Sequence, residues 1–356
     1  MSKERLVPLD AVRGVAAIGI AIFWHYQHFA PEVFPFSSKG YWFYHYGYLC
    51  VDLFFVLSGF VFSYVYGERL RKRMISAAEF ACLRFSRLYP LAAVTLIAIL
   101  LLQSIRTGLG LGAFIYDKND VYHFLLNLLF LQNVGLEEGF SFNGPSWSIS
   151  CEALAYVLFF LVLHYAGRRP WGLFAFFPLV GIVVRCCHLD VPFLNDEVSR
   201  VYISFFAGVF SYRVHLLLQR RSPLWGWMPL LVVLCLTTIG VRFGHAGYGT
   251  QWQVIYMAVL FPCVLLSVLH VPPLAWIGGL PPLRYLGRIS YSLYLWHFPV
   301  QCLLMTFVQT GILQIDFSSR FTFIGYACLV GGIASLSERF FESPLRQYIR
   351  RAFKSR

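Results

Sequence analysis

The sequence predicts an all-α, polytopic integral membrane protein, and three observations carry that prediction. Apolar residues make up 58% of the 356-residue chain and charged residues only 13%, too few to clothe soluble domains of ordinary surface. The apolar residues gather into separate runs, at 11–29, 46–66, 87–104, 121–133, 148–166, 171–187, 200–218, 225–242, 252–270, 289–312 and 320–340. Most of these are long enough to cross the ~30 Å hydrocarbon core as helices. The formal charge of +12 falls in the short linkers between runs, where it reports topology rather than nucleic-acid binding.

Charge decides which runs span. The linker 67–87 carries six basic residues and is expected to be cytoplasmic, which puts the N-terminus, with Lys3 and Arg5, on the same side. The next basic linker, Gly167-Arg168-Arg169, must lie an even number of spans further on. Run 121–133 is too short to cross comfortably, so 105–147 is expected outside, with that run re-entrant or surface-lying. Gln219-Arg220-Arg221, the linker 271–288 and the basic tail then fall inside, and the acidic linker 188–200 outside. The expectation is about ten spans, both termini cytoplasmic, and one membrane domain over 1–356. The first run lacks an A-x-A-like exit, so no cleavable signal is expected.

Nine cysteines show neither C-x-x-C nor Cys/His ligand spacing, so no metal site and no disulfide framework are read. No phosphate-binding glycine loop is present in the sequence.

The ionisable residues inside the runs are the functional candidates, because such groups normally face a protein interior or a water-filled cavity. The first run, LDAVRGVAAIGIAIFWHYQHF, carries Asp10 and Arg13 at one end and His25 and His28 at the other. Arg13 and His25 are roughly 18 Å apart along such a helix. Arg84 and Arg87, three apart on one helical face and followed by Tyr89 and Pro90, suit a phosphate or pyrophosphate at the inner mouth of the third span. On the outer side Asn143, Gly144 and Pro145 read as a turn, with Ser146 as N-cap of a helix starting at Trp147. Glu152, one to two turns in, needs a partner, and a histidine or a substrate hydroxyl suits it. Asp52 sits near the outer mouth of the second span under the same argument. A histidine oriented by a carboxylate can serve as general base toward a hydroxyl.

At these residues the chain resembles the membrane-bound acyltransferase-3 family. The motifs LDAVRGVAAIGIAIFWH, VDLFFVLSGF, RFSRLYP, PSWSISCEALAY, LGRISYSLYLWHFP (286–299) and SERFFESPLR (337–346) occur in the family's order and cover nearly the whole chain. The resemblance implies a ten-span O-acyltransferase in the bacterial inner membrane. It implies a cytoplasmic acyl-CoA donor, most often acetyl-CoA, with no permanently bound cofactor. The implied acceptor is a glycan or lipid-linked glycan: O-antigen, capsule or exopolysaccharide. The chain ends at Arg356 without an appended hydrolase-like domain, so the stand-alone type is expected.

By motif, the family's essential arginine and histidine fall on Arg13 and His25. Its R-x-x-R pair falls on Arg84 and Arg87 at the donor, with Tyr89 beside them. The W-S-x-S-x-E glutamate falls on Glu152 and the late-helix histidine on His297; Asn143, Trp147, His28 and His297 are the residues expected to bind the acceptor. The chain departs from the family in one spacing, with eleven residues between arginine and histidine where ten are usual. A π-bulge in the first helix would absorb the extra residue; otherwise His28 competes with His25 as the base. The mechanism expected has His25 deprotonating the acceptor hydroxyl, with Glu152 or Asp52 orienting it. Direct transfer and a two-step route through an acylated side chain both fit the sequence. A transporter or flippase for a lipid-linked glycan is the rival reading. It would more naturally show paired repeats with interrupted helices, and the sequence shows none.

Overall fold

The computed structural model describes residues 6–166, 170–242 and 249–354. The linker Gly167-Arg168-Arg169, on which part of the topology rests, lies outside the described residues, as do Lys3 and Arg5. The protein is all-α, 79% helical, and among the described residues there is no strand beyond one isolated bridge between Val191 and Leu194.

The principal helices are α1 (Pro8–Ile18), α2 (Ser37–Tyr46), α3 (Cys50–Phe62), α4 (Ala77–Gly108), α5 (Val121–Leu128), α6 (Trp147–Tyr165) and α7 (Trp171–Cys186). They continue with α8 (Asp196–Leu218), α9 (Met228–Arg242), α10 (Phe261–His270), α11 (Pro281–Gln309), α12 (Arg320–Ser337) and α13 (Ser343–Lys354). Asp120, Asn195 and Ser319 cap α5, α8 and α12 by accepting backbone N–H groups, as short polar side chains at N-caps do.

Among the described residues, seven helices are long and apolar enough to cross a bilayer. Three expected spans are not among the seven. Run 171–187 forms a helix of only 16 residues, α7. The other two are the first helix, which carries Asp10, Arg13, His25 and His28, and α11, which carries Arg284, Arg288 and His297. Both of these helices carry ionisable groups beside or within their apolar runs, where such groups mark functional candidates. Run 121–133 yields only the eight-residue α5, about 12 Å of helix and too short to cross.

The chain divides into two compact units. One comprises Met1–Ala16, Leu49–Ser76 and Cys151–Arg288. Its centre is the crossing of α3 and α8, where Gly59 faces the Phe205 carbonyl and Gly208 faces the Val56 carbonyl. A Cβ at either glycine would enter the facing backbone, so the helices touch there because both positions lack a side chain. The same two helices are joined by Asp52 and Arg200, in a two-pronged pair at 3.0 and 2.9 Å.

The other unit comprises Ala17–Tyr48, Ala77–Ser150 and Ile289–Arg356. Leu96, Ile99, Phe142, Phe298 and Cys302 form a core cluster in it. Tyr26 donates to the Phe317 carbonyl at 2.9 Å and Tyr326 to the Ala21 carbonyl at 3.0 Å, tying the end of the first helix to the later chain. The loop between α4 and α6 is folded on itself. Asn119 accepts from the Phe142 N–H at 2.9 Å, and Asn127 donates to Ser141 at 2.8 Å. Lys118 pairs with Glu138 at 2.8 Å. Asp120 accepts from the backbone N–H and the Nδ1 of His123, and these bonds hold its carboxyl below the ordinary carboxylate range.

Two outcomes are expected. Gly59→Ala and Gly208→Ala should each destabilise the fold by about 1–3 kcal/mol, read as a lowered unfolding midpoint in detergent. Asp120 has a depressed folded-state pKa, so its contribution is complete above the unfolded value and is lost as pH falls through the lower folded one. Amide exchange over α5 should therefore stay slow at neutral pH and quicken only below about pH 4, whereas Asp120→Ala should quicken it at pH 7.

Candidate active site

The first helix changes geometry as it approaches its histidines. After α1 the chain runs through a π-helical turn, Gly19–Phe23, and then a 3-10 segment, Trp24–Phe29. The Trp24 N–H reaches the Gly19 carbonyl, the i→i+5 bond that takes up one extra residue. The π-bulge anticipated from the arginine–histidine spacing is therefore present. The segment ends where Ala30 turns left-handed, at φ 45°, and its N–H closes on the Gln27 carbonyl at 2.9 Å.

In this 3-10 segment His25 and His28 stack, with ring centroids 4.9 Å apart. His25 Nδ1 lies 2.8 Å from His297 Nε2, and those two rings also stack, at 4.7 Å and 13°. His297 is fully buried, and its Nδ1 lies 2.6 Å from the Tyr294 carbonyl. A carbonyl only accepts, so His297 carries its proton on Nδ1 and, as a neutral ring, presents a lone pair at Nε2. His25 must then donate from Nδ1. Its own lone pair is left on Nε2, the nitrogen a general base uses.

His28 is fixed in the same way. The fully buried Gln301 donates from Nε2 to the His25 carbonyl at 2.8 Å, which sets the orientation of its amide. Its Oε1, an acceptor only, then receives the Nδ1–H of His28 at 3.0 Å. His297 and Gln301 stand four apart on α11, one turn along the same helix.

The turn before α6 is attached to the same stretch of α11. Pro299 has no N–H for the Leu295 carbonyl, and Asn143 Nδ2 supplies the missing donor at 3.1 Å. Asn143 is 1% exposed, and its Oδ1 has no hydrogen-bond partner among the described residues. Tyr294 donates to the Pro145 carbonyl and meets Ser148 at 2.9 Å. Gly144 lies so close to the Tyr116 ring that a Cβ would collide with it. Trp147 begins α6 and is buried. Ser146 precedes it as anticipated, but its hydroxyl turns toward Asn127 and Gln132 instead of capping the helix.

The remaining candidates have partners of their own. Glu152 accepts from Ser58 at 2.6 Å, and Ser58 also meets the Tyr156 hydroxyl at 3.2 Å. That partner is a serine where a histidine or a substrate hydroxyl was anticipated. Both oxygens of Asp52 are engaged by Arg200, and Arg13 lies 3.6 Å from Asp10 one turn before it. Sequence reasoning assigned the orienting of His25 to Glu152 or Asp52, yet the group hydrogen-bonded to His25 is His297. Arg84 and Arg87 lie half-buried on α4, with Tyr89 stacked on Phe85 at 4.4 Å. Arg350 of α13 reaches the same turn, donating to Ser86 at 3.2 Å and to the Leu83 carbonyl at 3.5 Å. Among the described residues no cluster of three or more His, Cys, Asp or Glu could hold a metal.

Gln301 was missed by sequence reasoning. The signal for it was a polar residue within the apolar run FPVQCLL, one turn beyond His297.

A family model described as an acyltransferase domain, acyltransferase-3, matches residues 7–337. The chain belongs to the acyltransferase-3 family. Its curated relatives include the O-acetyltransferase OatA of Staphylococcus aureus strain NCTC 8325, 26% identical over 383 residues that cover 99% of this chain and 59% of the relative. The putative O-acetyltransferase SACOL0978 of S. aureus strain COL is 27% identical over 386 residues, covering 97% and 58%. The chain therefore spans less than two thirds of the length of these relatives. No solved structure matches it. Family membership and the apolar helices together make this a multi-pass integral membrane protein.

The proton positions can be checked directly. In protein labelled with 15N-histidine, His25 is expected as the Nδ1–H tautomer. His297→Ala, which removes the acceptor, should convert it to a mixture; an unchanged His25 signal would show that His297 does not set it.

Proposed function

We propose that this chain is a membrane O-acyltransferase that moves a short acyl group, acetyl, from acyl-CoA to a hydroxyl of a cell-surface glycan. The observation that carries the reading is the His25–His297 pair, which leaves a lone pair on Nε2 of a partly exposed imidazole backed by a buried one. Membership of the acyltransferase-3 family and the O-acetyltransferase relatives support the same chemistry.

In this mechanism the acceptor hydroxyl gives its proton to His25 Nε2 as its oxygen attacks the thioester carbonyl. The C–O bond forms, the C–S bond breaks, and CoA leaves as a thiolate that takes the proton from His25. While His25 is an imidazolium, its Nδ1–H donates to His297 Nε2, so the new charge keeps a fixed acceptor. We assign the donor phosphates to Arg84 and Arg87, whose guanidiniums suit bidentate contacts, with Tyr89 beside them. Asn143 and Trp147, tied through their turn to α11, are assigned to the acceptor side. Asp52 and Glu152 we assign to holding helices together through Arg200 and Ser58, and Arg13 to a pair with Asp10 within the first helix. The acceptor is a glycan such as O-antigen, capsule or exopolysaccharide, and the setting is a bacterial inner membrane.

The test is transfer from labelled acetyl-CoA to glycan by the purified protein in detergent. His25→Ala should lower the rate about 10²–10⁴-fold at an unchanged protein level. Arg84→Ala should raise the KM for acetyl-CoA more than that for glycan. Glycan movement across vesicles with no CoA present, and no labelling with it, would replace this reading by a transporter.

A further inference from the structure

The two imidazoles at the end of the first helix form a paired device. Residues three apart in a 3-10 helix stand one above the other, so His25 and His28 project from the same side of their segment. Residues four apart in an α-helix do likewise, so His297 and Gln301 form a matching row on α11. The rows meet rung by rung, His25 Nδ1 on His297 Nε2 at 2.8 Å and His28 Nδ1 on Gln301 Oε1 at 3.0 Å. Both rings are anchored to α11 through Nδ1, so both turn the opposite nitrogen, Nε2, away from α11.

Both outer nitrogens are acceptors, because both Nδ1 atoms carry the proton. No described residue hydrogen-bonds to either one. The inner members, His297 and Gln301, are fully buried, whereas His25 and His28 are partly exposed. The ring edges of Phe114 and Phe298 stand against His28, at 6.1 and 5.7 Å between centroids, and give that rung an apolar wall.

We propose that the pair recognises a vicinal diol, two adjacent hydroxyls of a sugar ring, with one hydroxyl on His25 and its neighbour on His28. The inference deepens the acyltransferase reading and rests on it. His25 takes the proton of the hydroxyl that becomes acylated; His28 receives a hydrogen bond from the adjacent hydroxyl and takes no proton. With the rings 4.9 Å apart, each nitrogen can reach its own oxygen at ordinary hydrogen-bond length of a diol whose oxygens are ~3 Å apart. A lone hydroxyl would leave the His28 acceptor unmet in a partly desolvated site, and an unmet polar group of that kind is costly. Gln301 is the positioning residue for this recognition. It makes His28 an acceptor and, through the His25 carbonyl, fixes the spacing of the two rings.

The experiment measures acetyl transfer from acetyl-CoA to methyl glucopyranoside and to its monodeoxy analogues, using the full chain in detergent. For the wild type, removing the hydroxyl next to the acylated one should lower kcat/KM about 10- to 100-fold, whereas removing a distant one should not. In His28→Phe and in Gln301→Leu that discrimination should fall to near unity, whatever rate remains. The 15N signature should agree, with His28 losing its Nδ1–H tautomer in Gln301→Leu while His25 keeps it. Equal use of the adjacent-deoxy sugar by the wild type, or discrimination that survives in both variants, overturns the diol assignment and leaves the acyltransferase reading standing. No acetyl-CoA-dependent transfer to any of the sugars overturns the acyltransferase reading, and the diol assignment with it.

Discussion

The hydrogen bond from His297 Nδ1 to the Tyr294 carbonyl is the constraint on which the chemistry of this molecule depends. A backbone carbonyl cannot donate, so one proton is placed, and the proton of His25 follows from it. His297 must accept at Nε2, His25 must donate at Nδ1, and the base-competent lone pair must lie on the far side of His25. A carboxylate would orient an imidazole equally well, but it would bring a full charge into a membrane-embedded bundle. A neutral histidine orients the base without one.

Several of the polar groups drawn into the protein meet a partner within their own unit. Asp52 is answered by Arg200, Glu152 by Ser58, and the Leu295 carbonyl exposed by Pro299 by Asn143. The Pro299–Asn143 relation shows how a local irregularity is put to use. The residue that interrupts the hydrogen-bond ladder of α11 also creates the acceptor that holds the Asn143 turn, two residues from His297. The π-turn in the first helix has a similar standing, since it leads directly into the segment that presents His25 and His28.

Much of this was legible in the sequence. Helical runs, their rough limits, the short non-crossing character of 121–133 and the start of α6 at Trp147 all followed from apolar periodicity and turn chemistry. A π-turn was one of two readings that the extra residue between Arg13 and His25 left open, and the helix contains one. Motif order announced the family. What escaped was the choice of partner. Asp52 and Glu152 were read as companions for a histidine because carboxylates near imidazoles are a common arrangement, yet Arg200 and Ser58 hold them. Gln301 was overlooked because an uncharged residue in an apolar run gives no electrostatic signal.

The sequence by itself determined that this chain is helical and membrane-embedded, and which side chains are too costly to bury without a purpose. Hydropathy and ionisability belong to each residue, so they can be read without coordinates. Only the tertiary structure decided which nitrogen of each histidine is available. That depends on whether the atom opposite is a carbonyl, an amide oxygen or another ring, and residues 272 to 276 positions away supply it for the first helix.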